Sequence, residues 1–342
     1  MVSLHCNMEP TLENQPHSVD DLIGAATYFA DDALAQCTDV SAMAFPAGHR
    51  LPTEQMLSAV ATTIRNLVSG IENAIVQDNE RVQGGIPVSW NMLLQSGFLR
   101  EPALIDFALA IFAKGRLDDR ILAHGETLLV DQMPAQLLVN SNPPVADAAK
   151  TLLSNETQMR RFPDLIHRQL SSELLHQTTW RIVAALQVIS GVKNTEHIDN
   201  SKAFLTNHDA SATLNASARK IAYFLHDDSD DLVSNPALSG TAIFVAALSA
   251  RTGLDQDHVM RLADSHSSAP LALMLRSCGI PRPTAMAVIC LFNGFDLTPM
   301  EISQIERYYD VLAISDAKAS MTGWSAARTQ QLTFPDMGKG GG

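Results

Sequence analysis

The sequence predicts an all-α protein arranged as an irregular α-solenoid, an array of short helical hairpins. Three observations carry that expectation. Apolar residues recur at spacings of three and four along most of the chain, the pattern of a helix with one buried face. No run of strict apolar–polar alternation bounded by turn residues occurs, so no strand is expected. Between residues 88 and 318 the periodic segments are short and separated by Pro, Gly, Asn or Ser, as in arrays where each hairpin buries its apolar face on its neighbours.

Residues 1–17 are expected to form a flexible N-terminus. A first helix starts at Ser18, the N-cap, with Asp21 completing a short capping box. The N-terminal helical region, 18–82, contains one long amphipathic helix from Thr53 to Gln77. Its apolar face is Leu57, Val60, Ala61, Ile64, Leu67, Val68, Ile71, Ala74 and Ile75, with Arg65, Asn66, Glu72 and Asn73 on the other side. After the turn at 83–87 come helices at 88–99, 102–113, 118–132, 145–153, 156–170, 172–189 and 196–204. Six more follow at 212–225, 236–250, 255–265, 270–278, 283–293 and 299–316, the last opened by Thr298 as N-cap, Pro299 at N1 and Glu301 at N3. Helix 101–113 is apolar on nearly all sides, as an inner helix touching two layers would be. Residues 319–342 hold turn formers without periodicity, which predicts a flexible C-terminal tail.

A chain of 342 residues, 46% apolar and 18% charged, has ample material for a buried core. Its formal charge of −13 leaves no electrostatic footprint for a phosphate backbone, so nucleic acid is not an expected partner. The N-terminal residues lack a basic segment followed by an apolar one, and the longest apolar runs fall far short of the roughly 18 residues a membrane span needs. A cytoplasmic protein with no membrane partner is the expectation. Cys6, Cys37, Cys278 and Cys290 form no C-x-x-C pair and are expected to be reduced thiols.

The stretch 172–187, SELLHQTTWRIVAALQ, holds Glu173, His176 and Trp180. At about 100° per residue these three fall within about 60° of one another, opposite Leu175, Ile182, Leu186 and Ile189. Glu-x-x-His is how helical di-metal enzymes present ligands, yet such a site needs two of these motifs, and Glu173–His176 is the only one in the chain. The expected arrangement is a Glu173–His176 hydrogen bond with Trp180 packed between helical layers; the alternative is a partner-binding face. Asp255, Asp257, His258, Asp264 and His266 resemble a metal cluster in composition. His258 and His266, however, are about 12 Å apart along a helix, and Asp255 and Asp257 stand at an N-cap and in a first turn. The acidic run 226–231 lacks the glycine and glutamate of a calcium loop. Neither a metal nor a cofactor is expected, and no nucleotide-binding or hydrolase motif occurs.

Taken together, AVATTIRNLVSGIENAI, WNMLLQSGFLREPALIDF, ETQMRRFPD, SSELLHQTTWRIVAAL and ALMLRSCGIPRPTAMAVI resemble an alphaproteobacterial family, domain of unknown function 2336, over roughly residues 50 to 295. The matching positions include Ile71, Glu72, Arg160, Arg161, Phe162, Glu173, Leu174, His176 and Trp180. Leu175 and Arg181 replace a second His and a second Trp of similar sequences. The resemblance implies a cytoplasmic, HEAT-like helical protein and supplies no activity. The expected function is a non-enzymatic scaffold binding a protein partner in bacterial regulation or assembly, with Glu173, His176, Trp180, Arg160 and Arg161 as the binding face. The alternative is an enzyme or small-molecule sensor with an interhelical pocket around Glu173 and His176.

Overall fold

In a computed structural model, residues 23, 24, 26–28, 30, 53–77, 85–123, 132–191, 194–225, 229–265, 267–293 and 297–333 are described. Every regular element among them is helical. The helices are α1 (Glu54–Val76), α2 (Trp90–Gln95), α3 (Pro102–Ala123), α4 (Gln132–Leu137), α5 (Pro143–Arg161), α6 (Ser172–Ser190), α7 (Thr195–Thr206) and α8 (Leu214–Phe224). They continue as α9 (Ser229–Ser234), α10 (Pro236–Ser239), α11 (Thr241–Thr252), α12 (Gln256–Ala263), α13 (Ala269–Ser277), α14 (Arg282–Asn293), α15 (Pro299–Tyr309) and α16 (Ile314–Thr333). Short 3₁₀ helices lie at Phe98–Arg100, Pro163–Gln169 and Ala210–Ala212. The expectations for the N-terminus 1–17 and the Ser18 cap fall outside the described residues. None of the described helices is long and apolar enough to cross a membrane.

Local signals set most boundaries. Thr53 caps α1, its hydroxyl accepting from the Met56 amide at 3.2 Å, and Gln77 ends it in the left-handed region. Ser171, Thr213 and Asp255 cap α6, α8 and α12 in the same way. The full capping box at Thr298 and Glu301 opens α15.

Buried side chains form two clusters, and α3 belongs to both. Its first half, with Leu104, Ile105, Ala108 and Leu109, packs with α1, α2, α6 and the 3₁₀ helix at 163–169. Its second half, with Ala113, Leu117 and Ile121, joins the larger cluster built from α5, α8 and α11–α16. Apolar character on nearly all sides of this helix follows from that position: each fully buried Leu or Ile contributes about 1.5–3 kcal/mol, and α3 has such residues facing both ways. Its charged residues other than the exposed Asp119 are paired. Lys114 meets Asp118 at 2.7 Å and Glu156 of α5 at 3.3 Å, while Arg116 and Arg120 meet Asp264 at the end of α12 at 3.5 and 3.3 Å.

Several expected boundaries are corrected. The helices expected at 102–113 and 118–132 are joined at their junction, since α3 runs through Gly115, which is exposed with nothing within 4 Å; the packing of Leu117 and Ile121 outweighs the ~1 kcal/mol glycine costs a helix. Those expected at 145–153 and 156–170 become α5 and the 3₁₀ helix. Asn155 is not a helix stop; its amide reaches across to the Ala212 carbonyl at 2.7 Å. Conversely 236–250 is broken at Gly240, whose φ of 78° a helix cannot hold. Glu72, expected on the polar face of α1, is buried and accepts from the amides of Val88 and Ser89, each at 2.9 Å. The tail expected from residue 319 is largely helical. Through residue 333 it belongs to α16, which buries Ala317, Met321, Trp324 and Arg328 at helical spacing.

Candidate binding cleft

At the junction of the two clusters, the N-terminal ends of α3, α6, α8 and α12 converge on a cleft of about 600 Å³, with Arg328 of α16 in its wall. The local sequence places each end. Pro102 begins α3, where its missing N–H costs nothing. Ser171, Thr213 and Asp255 cap the other three. Gln169 adds a further tie, its side-chain oxygen accepting from the Leu214 amide at 2.7 Å.

A buried charge network forms the floor. Asp106 of α3 accepts from Arg261 of α12 and takes both guanidinium nitrogens of Arg328, at 3.1 and 2.6 Å. Arg328 also reaches Asp255 at 3.2 Å. Burial alone would push the Asp106 carboxyl upward, but the two arginines outweigh it and hold the group below its ordinary value. The N-terminal half of α3 is thereby bound to the C-terminal helix, 222 residues further along the chain.

Two groups of α12 titrate far from their ordinary range. Asp257 is half-buried and accepts from Asn215 at 2.9 Å. Loss of water, then the negative charges of Asp255 and Asp106, push its carboxyl up to about 7. His258 is fully buried with neither ring nitrogen hydrogen-bonded; burial and then Arg328 and Arg261 push it down to about 3. These shifts oppose each other in their effect on stability. His258 contributes a loss as pH falls from about 6.5 toward 3, because only the unfolded chain takes the proton; Asp257 contributes a gain as pH falls from about 7 toward 4, because the folded chain holds the proton. The two nearly cancel between pH 4 and 6.5. His258→Leu is therefore expected to gain stability on acidification across that window and Asp257→Asn to lose it. Each slope approaches at most about 1.4 kcal/mol per pH unit. Urea unfolding at several pH values tests this, and parallel profiles for the two variants would contradict it.

Of the residues anticipated from sequence, Glu173 lines the cleft. The expected Glu173–His176 hydrogen bond does not form. Glu173 accepts from Gln177, one turn on, at 3.4 Å, and the Trp180 indole donates to His176 at 3.0 Å. Trp180 is half-buried against the α1–α6 cluster rather than wedged between layers, and His176 is exposed. Arg160 and Arg161 are exposed at the end of α5, Arg161 lying over the Phe162 ring, and neither bonds to the α6 residues. Asp255 caps α12 as expected from its position, accepting from the amides of Asp257 and His258. His266 falls outside the described residues, as does the start of the acidic run; Asp230, in α9, pairs with Arg251. Cys278 and Cys290 are free thiols. Among the described residues no group of three or more His, Cys, Asp and Glu is placed to hold a metal ion.

Sequence reasoning missed Asp106, Gln256 and Arg328. A signal for Arg328 exists: Ala317, Met321 and Trp324 recur at four and three, and Arg328 continues the series. A second groove of about 980 Å³ lies along α1, α5 and α7. Several of its polar groups are already engaged. Asn155 bonds Ala212, His167 the Asp164 carbonyl at 2.8 Å, and His208 the Leu170 carbonyl at 3.1 Å.

Fold and site thus define an all-α protein with a charged interhelical cleft. No family model, curated protein or solved structure matches the chain.

Proposed function

We propose that this chain is a non-enzymatic, irregular HEAT-like array that binds a protein partner, consistent with its resemblance to domain of unknown function 2336. The supporting observation is the outward face of α6. Glu173 opens it at the cleft, and His176, Trp180, Ala184 and Val188 follow at helical spacing, all exposed except the half-buried Trp180. An apolar strip ending in a polar cleft suits an extended or helical partner segment. The neighbour contacts α6–α7, α11–α12, α12–α13, α13–α14 and α14–α15 suit an array; the contacts of α3 with α12 and α14 close it across the middle.

The enzymatic alternative draws on one observation, the Asp257 carboxyl near 7, a value suited to acid–base work. Ser171 and Thr213, the cleft hydroxyls with defined partners, serve as helix caps, and among the described residues no histidine lines the cleft.

Trp180→Ala is the test. Partial exposure predicts a stability loss of about 1 kcal/mol, well below the roughly 3–5 kcal/mol of a core tryptophan, together with loss of a partner captured from the source organism by wild type. A partner retained by both Trp180→Ala and Val188→Asp would sink the proposal.

A further inference from the structure

We infer that the inner wall of the cleft is a cation subsite, where an alkylguanidinium or alkylammonium group seats against Asp257 and the side-chain oxygen of Gln256. The inference rests on the binding reading above and specifies the chemistry its partner must carry.

The first observation is an unmet acceptor. Converging helix N-termini would ordinarily favour an anion, but here side chains already engage several of their amides. Ser171 takes the Leu174 amide, Thr213 that of Ala216, Gln169 that of Leu214, and Asp255 those of Asp257 and His258. Two buried side-chain groups of the wall remain unmet among the described residues, the Nε donor of Arg328 and the side-chain oxygen of Gln256. Gln256 is 3% exposed, lines the cleft, and its side-chain oxygen has no hydrogen-bond partner. A buried acceptor left unmet costs about 1–3 kcal/mol; a half-turn of the terminal amide brings this oxygen to the cleft, where a cation's N–H group would satisfy it.

The second observation is charge. Glu101 and Glu173, on the cleft's other ends, have no ion pair among the described residues. Arg328 is held by Asp106 and Asp255, which leaves Arg219, exposed at the rim, as the cleft's other cation among the described residues. Asp257 faces Asn215 from α8, Asp106 from α3, Arg328 from α16 and Asp255 of its own helix. Lys114 borders a small void beside it but is occupied by Asp118 and Glu156.

Seating a cation there couples to a proton. Asp257, near 7 in the empty cleft, must ionise to pair with the incoming charge, so binding releases the proton and strengthens as pH rises. From pH 6 to 8 the ionised fraction, and hence the apparent affinity, increases about tenfold.

The group could come from an Arg or Lys side chain of a protein or from a free amine, and two probes separate these sources. Titration calorimetry of the full chain with the capped tripeptide acetyl-Gly-Arg-Gly-amide and with agmatine, at pH 6, 7 and 8, should show binding that tightens about tenfold across the range. At pH 7, PIPES and MOPS buffers, which differ in heat of ionisation, should report about half a proton released per site. Tighter binding of the tripeptide assigns a protein side chain; tighter binding of agmatine assigns a free amine. Asp257→Asn, which preserves the Asn215 bond, should bind more weakly and without pH dependence, while Gln256→Leu should bind more weakly and keep it. Circular dichroism establishes that both variants fold. Absence of binding by either probe, binding unchanged in Asp257→Asn, or inorganic phosphate binding in place of the cations overturns the inference. These results are distinguishable from failure of the partner proposal, in which the probes bind but substitutions along α6 leave partner capture intact.

Discussion

Asp106→Ala is expected to lower the free energy of unfolding by roughly 3–5 kcal/mol, because it leaves Arg261 and Arg328 buried without their shared counter-charge. Both guanidinium groups already have buried nitrogens lacking partners: Nε and Nη2 of Arg261, and Nε of Arg328. Intact, the network offsets much of its own desolvation; with Asp106 missing, Arg261 stands uncompensated and Arg328 keeps only Asp255. Replacing all three together, Asp106→Leu with Arg261→Met and Arg328→Met, should recover most of the loss, since apolar side chains of similar volume remove the desolvation cost altogether. Urea unfolding of the two variants makes the comparison. A single variant as stable as wild type would show that the network does not bind α3 to α12 and α16. The same network should fail in acid. The Asp106 carboxyl is held below its ordinary value, so its contribution is complete above about pH 4 and disappears as pH falls through the depressed folded value.

Gly70→Ala should cost about 3 kcal/mol, although alanine in place of glycine within a helix ordinarily gains up to about 1 kcal/mol. A Cβ at Gly70 would stand 2.0 Å from the Asp164 carbonyl oxygen and 2.6 Å from His167 Nδ1. The closer obstacle is backbone, so relief requires α1 and the 3₁₀ helix at 163–169 to separate, opening the packing around Ile71 and Ile166. Gly115→Ala is the internal control. Nothing lies within 4 Å of a Cβ there, and the variant should be stabilised by up to about 1 kcal/mol. Thermal melting of both settles the sign, and a Gly70→Ala protein that melts above wild type would show the contact to be loose.

Helical character was legible wherever apolar residues follow one face. α1 illustrates it: Val60, Ile64, Leu67, Val68, Ile71 and Ile75 were picked out by spacing and are all buried. Caps at Thr53, Asp255 and Thr298 were legible or nearly so, because capping is a local interaction between residues two or three apart. Glu173 was singled out, but for a hydrogen bond with His176 that the structure replaces by Gln177. A count of residues per turn says which side chains share a face; it does not say which of two neighbours a carboxylate will choose.

By itself the sequence determined the all-α class, which residues share one face of α6 and the apolar character of α3, all consequences of interactions within one helical turn or of one helix's periodicity. Tertiary structure alone decided that α3 serves two clusters, that Glu72 is buried and that the last helix returns to the middle of the chain. It also decided that Asp106, Asp255, Asp257, Gln256 and Arg328 share one cleft. The physical reason is that spacing can put a charged residue on an inner face but cannot name its counter-ion. Asp106 is one carboxylate in an apolar helix and Arg328 one cation in the expected tail until each supplies the other's counter-ion at a separation of 222 residues, and only the packing of α3 against α12 and α16 brings that about.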